Sequence, residues 1–97
     1  MALFNIIGLD APGSVEKRME HRPAHLEWAK AQKDIVRIAG PLFAEDGETP
    51  AGSLFVVEGE SVAAVREWAA GDPYAKAGVF ASVEIRPFKW VIGNPDA

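Results

Sequence analysis

Residues 53–58 read SLFVVE, and residues 2–9 read ALFNIIGL. In an extended chain successive side chains point to opposite faces, so Leu54 and Val56 lie on one face of the first segment and Phe55 and Val57 on the other. In the second segment Leu3, Ile7 and Leu9 oppose Phe4 and Ile6 in the same way. A half-solvated antiparallel sheet alternates apolar with polar residues. These strands are apolar at both parities, which predicts that protein covers both faces of the sheet they build. With helices on one face, the simplest cover for the other is the same face of a second copy of the chain.

Outward from these strands, Asp10-Ala-Pro-Gly13 supplies a turn and Ser14 an N-cap for the helix-favouring run Val15 to Glu20. Pro23 disfavours helical geometry at Arg22 and removes an amide, which predicts a break and a second helical piece beginning at Pro23. Along that piece Ala24, Trp28, Ala31 and Ile35 recur at spacings of 4, 3 and 4 and form an apolar stripe. Residues 35–42 (IVRIAGPL) predict a second strand that Gly40-Pro41 interrupts or ends, and residues 43–52 a solvated acidic loop. After the third strand, Ser61 caps a helix whose Val62, Val65 and Ala69 face inward, and Gly71 closes it in the manner of a C′ residue. Residues 78–91 predict the last strand, with Val83 and Ile85 on one face and Phe80, Phe88 and Trp90 on the other, before residues 93–97 fray. The order β-α-β-β-α-β over residues 1–97, with no repeat or linker, makes one α+β domain. Its commonest arrangement is the ferredoxin-like sandwich, an antiparallel sheet with both helices on one face.

A chain of 97 residues buries only about two-thirds of its unfolded surface, so a partner surface would help it. The net charge of −4 offers no attraction to phosphate backbones or anionic lipid, which argues against nucleic acid and membrane partners. The absence of cysteine excludes disulfides, thiolate metal sites and thiol nucleophiles together. With no export signal or long apolar run, the expected location is the cytoplasm.

Few motifs carry chemistry. His21 and His25 stand four apart, a spacing two metal ligands can use on one helix, but Pro23 between them predicts that they do not share one, and no metal site is expected. There is no HExxH pattern, glycine-rich phosphate loop, GxSxG elbow or acidic pair on a shared helix face. Two landmarks remain: Arg22-Pro-Ala-His25-Leu26 and Gly71-Asp-Pro-Tyr74, joined by Ala39-Gly-Pro41.

In these landmarks, in their order and spacing, the chain resembles the YciI-related (YCII) proteins over nearly its whole length. The resemblance implies a ferredoxin-like fold that dimerises into an α/β barrel, and a pocket centred on a histidine and an aspartate, carried here by His25 and Asp72. Members with assigned chemistry act on small cyclic molecules, dehydrochlorination of chlorinated hydroxyquinols among them.

The residues permit that reading beside plainer ones. A histidine in the first turn after Pro23 would feel the helix's positive end, which favours the neutral imidazole, and Asp72 would hold one ring nitrogen and fix the tautomer. Equally, Asp72 before Pro73 is the pattern of an N-cap followed by proline at the first helical position, and a boundary histidine is often just hydrogen-bonded. Arg22 suits either an anionic substrate group or a carboxylate such as Glu20. Gly40 and Pro41 shape the pocket, and Ser53 and Tyr74 offer hydroxyls or pack. Trp28, Trp68 and Trp90 read as core or interface anchors. The expectation is a cofactor-independent lyase or isomerase, acting as a homodimer on a small molecule, with His25 as general base and acid. A non-catalytic ligand-binding module is the alternative.

Overall fold

A computed structural model describes residues 2–95; the fraying expected at the last two residues lies outside them. Its elements are β1 (Ala2–Asp10), α1 (Val15–Ala31), β2 (Val36–Phe43), β3 (Pro50–Gly59), α2 (Val62–Ala69), α3 (Pro73–Lys76) and β4 (Phe80–Phe88). The four strands form one sheet in the order β2-β3-β1-β4, each neighbour antiparallel, which is the ferredoxin-like arrangement.

The register shows how both parities are used. Phe4 and Ile6 pair with Val57 and Phe55, and these four, with Val65 of α2, make the core under the helices. Trp28 of α1 and Trp68, Val62 and Ala69 of α2 pack onto them. Each fully buried Val or Phe of this kind stabilises the fold by about 1.5–3 kcal/mol. The opposite face carries Leu3, Ile7, Leu54, Ile38, Leu42 and Phe88, of which Ile38 and Phe88 are more than a third exposed. Pro41 and Pro87 sit on β2 and β4, the two edge strands, where a missing amide breaks no ladder on the outer side.

Several expectations are corrected. Helix α1 runs unbroken through Pro23. Proline in a helix interior costs about 3 kcal/mol or more, and here buried contacts on both sides of it oppose that cost. The buried stripe of α1 is not Ala24, Trp28, Ala31 and Ile35, because Ala24 and Ala31 are exposed. The inward face instead follows residues 14, 18, 21, 25, 28 and 32, at spacings of 4, 3, 4, 3 and 4, with Ser14, Arg18 and His25 buried. Ser14 stands at the start of α1 without a side-chain capping bond, whereas Ser61 accepts from the Ala64 amide at 3.1 Å as the sequence predicts.

Gly40-Pro41 does not end β2, which continues to Phe43, and β3 begins at Pro50, so the loop is shorter than residues 43–52. Asp46 nucleates it by accepting from the amides of Glu48 and Thr49 and from the Thr49 hydroxyl, bonds that hold its carboxyl down at about 2. Gly71 has no positive φ; what it provides is close approach, since a Cβ there would lie 3.3 Å from the Trp68 carbonyl and 3.6 Å from Trp28 Nε1. In β4 a register shift after Leu9 opposes Leu9 to Ser82 and Asp10 to Phe80. The extra residue turns Phe80 to the helix side with Val83, where both were expected on opposite faces.

Candidate active site

One flank of α1, the sheet surface of β2 and β3, and α3 line a half-open cavity of about 340 Å³. Its wall includes Arg22, His25, Gly40, Pro41, Ser53 and Tyr74, so six of the seven residues singled out from the sequence meet there. Met19, Leu26 and Phe43 give the wall its apolar character, and Phe43 and Pro50, at the two ends of the acidic loop, stand at one side.

The seventh residue, Asp72, lies behind His25. Both are buried, and His25 Nδ1 lies 2.7 Å from Asp72 Oδ1. A carboxylate can only accept, so Nδ1 carries the hydrogen and donates it. Nε2 then has no hydrogen-bond partner among the described residues and is not sealed from solvent. The same Asp72 oxygen accepts from the Tyr74 amide at 2.9 Å, capping α3 with Pro73 at its first position. Capping and histidine orientation therefore coexist in one carboxylate.

His25 lies deep within α1, ten residues after Val15, so the premise of a helix N-terminus beside it fails. Aromatic rings hold it instead. Tyr74 stacks on the imidazole with centroids 3.9 Å apart and planes 13° from parallel, and Phe55 and Trp28 lie 5.9 and 6.5 Å away. Trp28 and Trp68 pack together at 4.7 Å, and Trp68 Nε1 donates to Gln32 Oε1 at 3.1 Å, which makes both tryptophans core anchors behind the site. Burial pushes the Tyr74 phenol above its ordinary value against the opposing pull of Arg18 and Arg22, so it stays neutral at physiological pH.

Arg18 is the site residue that the sequence reading missed. Its Nε and Nη2 donate to the two Asp10 carboxylate oxygens, both at 2.8 Å, and Nη2 also donates to Ser53 Oγ at 3.0 Å. The guanidinium carbon sits 4.5 Å from the Tyr74 ring centroid. Burial works against its charge, but the pairing with Asp10 prevails and raises its pKa. Arg22, by contrast, is exposed at the rim and has no carboxylate partner among the described residues, Glu20 included. With α1 unbroken, His21 and His25 do share a helix, yet Nδ1 of His25 is already engaged, and no group of three or more ligating side chains forms among the described residues.

Residues 2–89 match the YCII-related domain. Protein YciI of Escherichia coli is 41% identical over 96 residues, covering 92% of this chain and 98% of its own. An uncharacterised protein of Haemophilus influenzae is 40% identical over 95 residues, 91% of this chain and 97% of its own. Among solved structures, a 5-chloro-2-hydroxyhydroquinone dehydrochlorinase of Burkholderia phenoliruptrix, in complex with 2,5-dihydroxybenzoquinone, superposes with a TM-score of 0.81 at 32% identity, over 90% of this chain and 93% of its own.

Proposed function

The chain belongs to the YCII-related domain family, and on that premise we propose that it is a single-domain, small-molecule enzyme that moves a proton with His25 and Asp72 and without a cofactor. The observation that carries this reading is the buried 2.7 Å bond from His25 Nδ1 to Asp72, which leaves Nε2 facing a cavity of about 340 Å³. Nε2 takes a proton from an enolisable carbon or from a hydroxyl of a small cyclic substrate, and the imidazolium that forms is stabilised by Asp72. The electron pair left behind has two outlets. In an isomerisation it spreads to an adjoining oxygen and the proton returns at another carbon. In an elimination from a chlorinated hydroxyquinol the hydroxyl proton taken by Nε2 is returned to the chlorine-bearing ring carbon, giving a ketone tautomer. A second hydroxyl then loses its proton, its electron pair forms a carbonyl, and the shifted ring double bond expels chloride, so that a hydroxyquinone, a proton and chloride result.

The dehydrochlorinase to which the chain is similar makes elimination from a chlorinated hydroxyquinol the first reaction to try. Met19, Leu26 and Phe43 offer such a ring apolar contact, Tyr74 stacks with the imidazole and fixes its plane, and Gly40, Pro41 and Ser53 line the sheet side of the wall. Arg22 attracts an anionic substrate from the rim. The working unit is a homodimer closed through the helix-distal sheet face, with no nucleic acid partner.

The test is turnover of candidate hydroxyquinols, chlorinated and not, by the protein and by its His25→Gln form. Binding without turnover in the unaltered protein would favour the non-catalytic module instead.

A further inference from the structure

Proton transfer at His25 leaves one buried charge without a role. Arg18 is 4% exposed, and a buried ion pair usually returns little net stability after the cost of removing both charges from water. Its Nε and Nη2 are used by Asp10 and Ser53. No direct bond of ordinary length to a described residue falls on Nη1, although the Tyr74 hydroxyl interacts with the same guanidinium, and no sealed side-chain nitrogen or oxygen lacks a partner, so Nη1 is not closed off. The space beside it is the cavity, which Arg18 and Ser53 both line. Because Ser53 Oγ already accepts from Arg18, the serine's own hydrogen is left to donate.

We propose that Arg18 Nη1 and the Ser53 hydroxyl form an anion-holding pair, and that the ligand is a small planar oxyanion, a phenolate or enolate, rather than a neutral ring. The inference deepens the proton-transfer reading and rests on it, since the charge released when Nε2 takes a proton ends on the oxygen this pair holds. Asp10 aims the guanidinium with two bonds, and the Tyr74 ring, which contacts both Arg18 and His25, sets the distance between oxyanion and base. Fixed donors in an apolar wall need no reorganisation as charge arrives.

Calorimetric titration with 4-nitrophenolate, above the probe's own pKa, and with neutral 4-nitroaniline of the same shape tests the pair. The unaltered protein should bind the phenolate about tenfold or more tightly than the aniline, as a charge-assisted bond implies. Ser53→Ala should cut that preference about threefold to tenfold, and Asp10→Asn with Arg18→Met, which removes the ion pair as a unit, should abolish it. His25→Gln should keep it, so a failure of the base and a failure of the anion pair are distinguishable. Equal affinities, no binding of the phenolate, or a preference lost in Arg22→Ala but kept in Ser53→Ala would overturn the proposal. Ser53→Ala decides the matter even if the double variant does not fold.

Discussion

At the scale of single residues, Asp72 holds two jobs that substitution can separate. Asp72→Asn keeps a good N-cap and, because one oxygen serves both donors, keeps an acceptor for His25 Nδ1 while losing the negative charge, whereas Asp72→Ala removes the cap and leaves a buried ring nitrogen unsatisfied. Asp72→Ala should therefore lose about 2–4 kcal/mol by urea unfolding, and Asp72→Asn about 1 kcal/mol. Nitrogen NMR of His25 should place the hydrogen on Nδ1 in the unaltered protein and in Asp72→Asn, and let it move to Nε2 in Asp72→Ala. The pair itself was legible in the sequence because short landmarks mark it. Arg18 was not, because it sits in the charged run Val15 to Glu20, which reads as a solvated surface. A signal was there, since Arg18 lies two helical turns before His25 and so on its face, but a search for apolar stripes passes over a polar one.

At the scale of elements, strands and the second helix were readable from alternation and caps, and the errors fell where packing overrides local preference. Helix α1 crosses Pro23 because Arg18 and His21 before it and His25 and Trp28 after it share one inward face. The β4 shift was invisible in the sequence, since it depends on pairing with Asp10. Glycines divide by surroundings in the same way. A Cβ at Gly52 would lie 2.5 Å from the Gly8 carbonyl oxygen, a backbone atom that cannot step aside, while at Gly40 it would meet nothing within 4 Å. Gly52→Ala should cost about 2–3 kcal/mol and Gly40→Ala under about 0.5 kcal/mol, read from melting curves. By register a side chain at position 40 points to the helix-distal face, away from Ala39 and Pro41, so Gly40 gives the cavity backbone wall and leaves room on the other side.

At the scale of the whole molecule, the two apolar parities resolve into a buried core under the helices and a half-exposed face of Leu3, Ile7, Ile38, Leu54 and Phe88. A second copy on that face predicts a sedimenting species of twice 10.4 kDa, and Leu54→Glu should return it to monomer; a monomer in the unaltered protein at micromolar concentration would count against pairing. The most direct test of proton transfer at His25 Nε2 is turnover in deuterated water with a panel of hydroxyquinols and enolisable cyclic ketones. The unaltered protein should transfer solvent deuterium to ring carbon, or release chloride, at a rate His25→Gln lowers by about a hundredfold or more. No exchange with any of them, or an equal rate in His25→Gln, would contradict it.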